Sequence, residues 1–265
     1  MNSYLNRLFV RLTGNRRGQY LLDYGVTLFQ SLMGIGAGAC VESSGEDGIF
    51  RKLKQTCAQP FCIFDVGANQ GQFIKLALRN LEGVRFQLHA FEPGLQTYSA
   101  LVENVRGERS IVLNNFGLGQ QRGEFELHYD AAGSGLASLT ERRLDHFGIS
   151  FSQKEMVRLE TLDDYCAAQG IARIDLLKID VEGHELDVLR GGERMFESGS
   201  VSLASFEFGG CNIDTRTYFQ DFYYFFKKYG MEIFRVTPSG YLLPVNSYRE
   251  AYEQFRTTNF LAVKS

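Results

Sequence analysis

Two hydrophobic periodicities divide the chain at about residue 60. Before that point, apolar residues recur every three or four positions over 21–33, which predicts an amphipathic helix that ends in a glycine-rich segment. Ser43 and Glu46 have the spacing of a capping box and predict a second helix that runs to about Gln55. We therefore expect an N-terminal helical extension over residues 1–58 that packs on the rest of the protein. The alternatives are that this extension forms a lid over a substrate or a surface that touches a membrane.

After residue 60, short apolar runs alternate with helical stripes. The runs typical of strands cover residues 61–64, 86–91, 111–113, 125–129, 174–179, 201–208, 232–236 and 259–263. Helices are expected after Gly71, over 95–105, up to Leu189 and along the aromatic stripe that stops at Gly230. Such alternation predicts an α/β fold with a doubly wound, mostly parallel sheet in one domain over 59–265. Ligands of these sheets bind at the carboxyl ends of the strands.

Composition narrows the class of protein. A chain of 265 residues is long enough for one large domain, and its net charge of −3 argues against a nucleic-acid partner, because phosphate binding usually needs a basic excess. The five cysteines form no C-x-x-C pair, which fits reduced thiols better than disulfides or a zinc site. The apolar cluster at 26–41 is shorter than the roughly 20 residues that a spanning helix needs. We expect no transmembrane segment and a cytoplasmic location.

The first predicted strand ends in Asp65, followed by a loop that contains Gly67, Asn69 and Gly71. The glycines permit a tight turn and a close approach of the backbone to a ligand, and the next helix offers free N–H groups. A dinucleotide site would have G-x-G-x-x-G here, and this segment lacks it. An acid directly before the loop suits a ligand with a cationic ammonium and sulfonium better than one with a pyrophosphate. A generic strand-to-helix turn capped by Asp65 is the alternative.

Polar side chains also follow the next two strands. Glu92 lies 27 positions after Asp65, and nucleoside-binding sheets use an acid about 20 residues past the glycine loop to accept hydrogen bonds from ribose hydroxyls. At the third strand end, Asn115 is a candidate for hydrogen bonding an adenine base and Phe116 for packing on it. An ordinary polar turn is the alternative at this third position.

The densest polar cluster follows the strand at 174–179. Asp180, Glu182, His184 and Glu185 lie within six residues of one another. A ligand with a sulfonium can donate a methyl group, and transfer of that group to a hydroxyl requires in-line placement of the acceptor and removal of one proton. His184 is the first candidate for the general base, and Asp180 is expected either to orient the acceptor or to contact the amino end of the cofactor. Glu182 completes the candidate catalytic set.

Other interpretations of this cluster stay open. Lys178 is expected to pair with a carboxylate, and Glu207, at the end of the next strand, can reach the same cleft. Glu182 and Glu185 can instead complement a helix dipole, and His184 can be a plain surface residue. Acid and imidazole groups can also bind a divalent metal, although nothing in this spacing demands one, and we expect none.

The chain resembles the FkbM-type methyltransferases over about residues 40 to 265. The segments that carry the resemblance are 65–71, 91–93, 115–119, 138–139, 161–164, 175–185 and 259–262. The resemblance implies a Rossmann-like class I methyltransferase fold, a seven-stranded sheet with an antiparallel last strand, and S-adenosylmethionine as methyl donor. It also implies Asp65, Gly67 and Glu92 as cofactor contacts. Asn69 stands where many methyltransferases have glycine, and asparagine tolerates the left-handed conformation.

These observations favour an S-adenosylmethionine-dependent O-methyltransferase. The resemblance implies that the acceptor is a hydroxyl of a sugar, a glycan or glycolipid, or a related natural product. The alternatives are a nicotinamide-dependent oxidoreductase, a nucleic-acid N-methyltransferase and a degenerate binding module. The two alternative enzymes would need sequence motifs that this chain lacks, and a degenerate module would not explain why the acids at the strand ends are intact. The small-residue loop over 134–140 is a candidate for closing over the acceptor, or an ordinary mobile loop.

Overall fold

The computed structural model describes residues 3–38, 44–131 and 133–265 and shows a large sheet with helices on both faces. Its helices are α1 (Ser3–Thr13), α2 (Arg16–Leu32), α3 (Asp47–Thr56), α4 (Gln72–Asn80), α5 (Leu95–Asn104), α6 (Leu162–Gln169), α7 (Glu185–Arg190), α8 (Glu193–Glu197), α9 (Cys211–Thr215) and α10 (Phe219–Lys228). Its strands are β1 (Phe61–Val66), β2 (Phe86–Phe91), β3 (Ile111–Asn114), β4 (Gly117–Leu118), β5 (Gly123–Tyr129), β6 (Gln153–Glu160), β7 (Ile174–Ile179), β8 (Val201–Phe208), β9 (Met231–Val236), β10 (Leu242–Pro244) and β11 (Thr258–Lys264).

Within the described residues, eight strands form the large sheet in the order β10-β9-β11-β8-β7-β1-β2-β3. The strands β1, β2, β3, β7 and β8 are parallel, whereas β11 is antiparallel to both of its neighbours. The α/β class, the mostly parallel sheet and the antiparallel last strand are therefore confirmed. The expected count of seven strands misses β10, which pairs with β9 through three residues and ends in Pro244. So short an edge segment gives no alternating pattern.

A second sheet of three strands has the order β4-β6-β5. The strand predicted at 125–129 is β5, and it pairs antiparallel with β6, with Gly123 opposite Leu159. The sequence pattern did not predict β6, because most of its side chains are exposed and polar. Only Val157, Leu159 and Glu160 of this strand are buried.

Two hydrophobic clusters cover the two faces of the large sheet. The central strand β7 contributes Leu177 and Ile179 to one cluster and Leu176 to the other. The side chains of this strand are fully or almost fully buried, and burial of one such apolar side chain stabilises a fold by roughly 1.5–3 kcal/mol. Because β7 is packed on both faces, its carboxyl end is held in a fixed position.

Helix α3 belongs to the core of the sheet domain. Ile49, Phe50 and Leu53 are completely buried and join the cluster that contains Leu176. The predicted capping box does not describe the start of this helix. Ser43 lies outside the described residues, and the carboxylate of Glu46 makes no capping bond and accepts from the Ser44 hydroxyl instead.

Helix α2 confirms the predicted helix but not its packing. None of its residues is buried, so the expectation that it forms a layer packed on the domain is wrong. It is attached near its carboxyl end, where Gln30 hydrogen bonds with Gln254 and Arg256. The chain then passes the residue that precedes β11, with the N–H groups of Gly36 and Gly38 donating to the carbonyl of Thr257. In the part of the chain that the structure describes, no helix is both long and apolar enough to cross a bilayer.

Candidate active site

The carboxyl ends of β1, β2, β7 and β8 lie at one edge of the sheet, where two adjoining cavities open. The inner cavity, about 710 Å³ and partly open to solvent, is lined by residues that include Glu92, Leu118, Leu159 and His184. The outer cleft, about 1850 Å³ and also partly open, is lined by residues that include Lys75, Arg142, Lys178, Glu207 and Thr257. Their shared residues form the junction: Gly67, Asn69, Gly135, Asp180 and Glu182.

The loop after β1 reaches the junction in a left-handed backbone conformation. The angle φ is +79° at Gly67, +47° at Asn69 and +91° at Gly71. A Cβ atom on Gly67 would collide with the carbonyl oxygen of Asp180, so glycine is needed for the loop to pass this close to the end of β7. Gly71 is the N-cap residue of α4, which confirms the predicted tight turn into a helix.

Asn69 brings an unsatisfied polar atom to the junction. Its side-chain Oδ1 is buried and has no hydrogen-bond partner among the described residues. A buried acceptor without a donor costs roughly 1–3 kcal/mol. The atom is therefore placed to accept a hydrogen bond from a bound group, and an ammonium is a donor of that kind.

Glu92, at the end of β2, turns its carboxylate into the inner cavity. The residue is 8% exposed. Its Oε2 accepts from the N–H of Asn69 at 3.0 Å and its Oε1 from the N–H of Gly94 at 2.9 Å. Burial raises the pKa of Glu92 to about 7, although the two N–H donors oppose this shift. Both oxygens are thereby fixed in direction, and each keeps a lone pair that can accept a hydrogen bond from a hydroxyl of a bound ribose.

Asp65 lies beneath the cavities and not in them. Its side chain is completely buried, and its Oδ1 is 2.9 Å from Nζ of Lys178. The same Nζ donates to the carbonyl of Gly67 at 3.0 Å and lies 3.5 Å from Oδ2 of Asp180. Burial alone would lower the pKa of Lys178, but the charges of Asp65 and Asp180 outweigh it and hold that pKa above its usual value. Asp65 thus supports the site through Lys178, which differs from the predicted direct contact.

The third strand end also differs from the prediction. The side-chain amide of Asn115 donates to the carbonyls of Glu92 and Pro93, at 3.0 and 3.2 Å, and so holds two strand ends together. Phe116 packs against Phe91, with ring centroids 5.7 Å apart, and Arg158 lies over its ring. Neither Asn115 nor Phe116 lines the inner cavity. Its apolar wall comes instead from residues of the second sheet: Leu118, Leu127 and Leu159.

Asp180 and Glu182 bring two carboxylates to the junction. Glu182 has a left-handed φ of +54°, and its carboxylate is paired with Arg142, which also lies 3.7 Å from Asp214. Burial and then the charge of Asp180 raise the pKa of Glu182. The side chain of Asp180 is 40% exposed, against 19% for Glu182. Asp180 is therefore the more accessible of the two carboxylates.

His184 faces the inner cavity with both ring nitrogens engaged. Its Nδ1 lies 2.8 Å from Oδ2 of Asp187, and its Nε2 lies 3.0 Å from Oγ1 of Thr140. The imidazole side chain is 18% exposed, so the plain surface interpretation is wrong. Asp187 was not among the residues predicted from the sequence, although its position three residues after His184 is the spacing at which helical side chains meet.

Two further glutamates of this edge have different environments. Glu185 is completely buried and accepts from the N–H groups of Val181 and Gly183, so it shapes the loop after β7. Glu207 lines the outer cleft, as the sequence suggested. Burial, followed by the charges of Asp180 and other nearby glutamates, raises the pKa of Glu207. Among the residues with described positions, no group of three or more His, Cys, Asp or Glu side chains is arranged to hold a metal ion.

Glu46 is a buried carboxylate next to this site, whereas its sequence position indicated only a capping residue. It is 5% exposed and accepts from the hydroxyl of Ser44 at 2.9 Å. Burial raises the pKa of Glu46 to about 7, and the charge of Lys178 opposes the shift. The segment before α3 therefore adds a carboxyl group to the electrostatics of the site.

The loop at 133–140 forms a wall of both cavities. Ala137 and Leu139 line the inner cavity, and Leu136 lines the outer cleft. The hydroxyl of Ser138 donates to the carbonyl of Glu182 at 2.8 Å, and Thr140 contacts His184. The loop is thus fastened to the segment that carries the candidate catalytic residues.

Known methyltransferases match this chain in sequence. The sequence model of the family described as Methyltransferase FkbM domain matches residues 65–233. The hexuronic acid methyltransferase AglP of Haloferax volcanii is 24% identical over 166 residues, 62% of this chain and 64% of that protein. The 2-O-methyltransferase NoeI of Sinorhizobium fredii is 27% identical over 141 residues, 49% of this chain and 57% of that protein.

The chain thus spans less than two thirds of the length of either curated relative. Among solved structures, the methyltransferase FkbM of Methylobacillus flagellatus aligns with a TM-score of 0.45 and 14% identity. That alignment covers 86% of this chain and 60% of the other.

Proposed function

Since the chain belongs to the FkbM methyltransferase family, we propose that it is an S-adenosylmethionine-dependent O-methyltransferase. Its acceptor is a hydroxyl of a sugar, a glycan or glycolipid, or a related natural product. The observation that carries this proposal is the junction, where a glycine loop, a buried amide oxygen and an accessible carboxylate meet between two cavities. A group-transfer enzyme needs one cavity for the donor and a second for the acceptor. The similarity to a hexuronic acid methyltransferase supports a sugar acceptor.

The residues present fit the cofactor. Glu92, with both oxygens fixed at the inner cavity, would accept from the ribose hydroxyls. Oδ1 of Asn69 would accept from the ammonium of the methionine moiety, which supplies the donor that this buried atom lacks. Leu118 and Leu159 offer an apolar wall for the adenine. The bound sulfonium would supply an electrophilic methyl group.

The outer cleft would take the acceptor. Lys75 and Arg79 are exposed, lie one turn apart on α4 and line this cleft, and Arg79 also lies 3.4 Å from Asp47. Lys75 has no ion pair among the described residues, so a sugar with a carboxylate is favoured over a neutral one. The Glu182–Arg142 pair lies at its inner end and is fixed by Asp214, which suits it to orient an acceptor through hydrogen bonds.

Asp180 would take the proton from the acceptor hydroxyl. It lines both cavities, and its only partly covered carboxylate remains open to a ligand. A positioned base contributes about 10²–10⁴-fold to the rate. His184 was the first candidate from the sequence, but both of its ring nitrogens have partners and it lines only the inner cavity. We assign it to positioning the loop that carries Thr140.

The test is transfer of a labelled methyl group to a panel of carbohydrate acceptors. Each hexuronic acid glycoside should be paired with the matching neutral hexoside. We expect label in an ether at a sugar hydroxyl, with the acidic acceptor preferred, and we expect Lys75→Gln to reduce that preference. No transfer to any carbohydrate from a protein that binds the cofactor would favour the degenerate binding module. Label on a base nitrogen of DNA or RNA would favour the N-methyltransferase alternative.

A further inference from the structure

The N-terminal helices expose apolar side chains that a folded protein ordinarily buries. Leu21 is 71% exposed, Tyr24 and Leu32 are each 69% exposed, and Phe29 is 65% exposed. The same holds on α1, where Leu12 is 62% exposed. Contiguous apolar surface of this kind marks an interaction site.

The polar side of α2, not its apolar side, contacts the rest of the protein. Gln30 bonds to Gln254 and Arg256, and it lies nine positions after Leu21. Nine residues are two and a half turns at 3.6 residues per turn, so Leu21 and Gln30 are on opposite sides of the helix. The apolar side is therefore directed away from the sheet domain, opposite to the arrangement of a helix that covers a core.

The charge of this region is opposite to that of the whole chain. Residues 1–33 contain four arginines, Arg7, Arg11, Arg16 and Arg17, against a single acid, Asp23. The formal charge of +3 contrasts with −3 for the complete chain. The four arginines are exposed, and the guanidinium of Arg16 also lies 5.6 Å from the ring centroid of Tyr20.

We propose that α1 and α2 dock on an anionic lipid surface. The apolar side of α2 enters the boundary between headgroups and acyl chains, and the arginines pair with lipid phosphates. Tyr20 and Tyr24 are suited to the headgroup level, because each has an apolar ring and a polar tip. A second copy of this chain fits the same surface less well, since it would bring a second set of arginines against the first.

Docking of α2 would place the outer cleft close to the lipid surface. The chain runs from α2 to Gly38, which lines that cleft together with Thr257. An acceptor carried on a lipid would then be presented at the opening of the cleft. Only this last consequence rests on the proposed methyl transfer; the docking itself does not.

The test is flotation of the full chain with vesicles, without cofactor or acceptor. Vesicles of phosphatidylcholine are compared with vesicles in which about a quarter of the lipid is phosphatidylglycerol. We expect binding to the anionic vesicles that weakens as salt is raised, because salt screens the arginines. The double variant Leu21→Glu/Phe29→Glu should bind about 100-fold more weakly or not at all. Arg16→Gln/Arg17→Gln should bind about 10- to 30-fold more weakly.

Matched controls separate this surface from general effects of charge. Lys227→Gln/Lys228→Gln removes two exposed cations from α10, and Phe147→Glu places an acid at a 72% exposed aromatic elsewhere. Both controls should bind the anionic vesicles as the unaltered chain does. No binding by the unaltered chain, or equal loss in the controls, overturns the proposal. So does a light-scattering result in which Leu21→Glu/Phe29→Glu converts a dimer to a monomer while neither form binds vesicles.

Discussion

The strand-end edge of the sheet and the N-terminal helices place polar and apolar groups in opposite ways. At the strand ends, charged groups are buried: Asp65 is completely inaccessible and Lys178 is 7% exposed. On α2, apolar side chains are exposed and none of the helix residues is buried. Both arrangements cost free energy in an isolated domain, the first through desolvation and the second through lost apolar burial. The buried charges offset one another in part, since Asp65 pairs with Lys178. The exposed apolar side of α2 has no such partner within the described residues, and we propose that a lipid surface covers it.

The two regions also differ in how firmly they are held. The buried charges of the edge are fixed by short contacts, such as the 2.9 Å distance from Lys178 Nζ to Asp65 Oδ1. Helix α2 is attached by hydrogen bonds of Gln30 near one end. Substitutions should therefore act on catalysis and folding at the edge, and on neither in α2.

The largest effect is expected for Asp180→Asn. Removing the proton acceptor should lower kcat by about 10²–10⁴-fold while leaving cofactor affinity within a few-fold. His184→Ala should lower kcat only about 10-fold, because we assign the imidazole to positioning and not to proton transfer. Steady-state kinetics with calorimetric cofactor titration measures both, and Asp23→Asn on α2 is the control that should change nothing. A larger loss in His184→Ala than in Asp180→Asn would return the base role to His184.

The next effect concerns the buried ion pair. Lys178→Met leaves Asp65 buried without its cation and should lower the free energy of unfolding by about 3–5 kcal/mol. The double variant Asp65→Leu/Lys178→Met should recover most of that loss, since no charge is left unpaired. The exposed pair Arg106–Glu103 is the control, and Arg106→Met should cost at most about 1 kcal/mol. Urea unfolding measures the free energy of unfolding of all three variants. A loss in Arg106→Met as large as the loss in Lys178→Met would contradict the assigned role of burial.

A leucine pair compares the two regions directly. Leu53 on α3 is completely buried and Leu21 on α2 is 71% exposed. Leu53→Ala should lower the free energy of unfolding by about 2–5 kcal/mol, whereas Leu21→Ala should change it by less than about 0.5 kcal/mol. Thermal or urea unfolding in the absence of lipid is the measurement. A large loss for Leu21→Ala would mean that α2 packs on the protein in solution.

The smallest effect is a pH dependence of stability through Glu46. Folding raises the pKa of this carboxyl from 4.5 to about 7, mainly by burial. The folded state therefore binds this proton more tightly than the unfolded state does. The resulting contribution of Glu46 to stability is fully present below about pH 4.5 and is lost as the pH rises through about 7. We expect the free energy of unfolding to fall by about 1–3 kcal/mol from Glu46 between about pH 5 and pH 8. Glu46→Gln should flatten the curve over this window, and an unchanged slope in that variant would contradict the assignment.

Strands packed on both faces could be predicted closely from the sequence. The predicted limits at 86–91, 174–179 and 201–208 agree with β2, β7 and β8, because continuous apolar runs have few alternatives in a parallel sheet. The strand β6 and the direction of the apolar side of α2 could not be predicted. A polar strand has no distinctive pattern, and an amphipathic pattern does not say which side meets the protein. Because α3 lies in the core, we propose that the sheet domain begins near Ser44 and not at residue 59.

The candidate site could be predicted in its position but not in its pairings. Glu92, Asp180, Glu182 and His184 line the inner cavity because parallel strands end at a common edge. Three of the pairings depend on packing or on side-chain direction. These are Glu46 with Lys178, Asp187 with His184, and Arg142 with Glu182. Of these, only the Asp187 contact leaves a signal in the sequence, through its spacing on a helix.

We propose that the inner cavity binds an adenosyl cofactor through Glu92. Calorimetric titration of the unaltered chain and of Glu92→Gln with S-adenosylmethionine, S-adenosylhomocysteine and NAD tests it most directly. We expect the unaltered chain to bind both adenosyl ligands and not NAD, and Glu92→Gln to bind them about 10- to 100-fold more weakly. Binding of NAD, or equal affinity of the two proteins for S-adenosylhomocysteine, would contradict it.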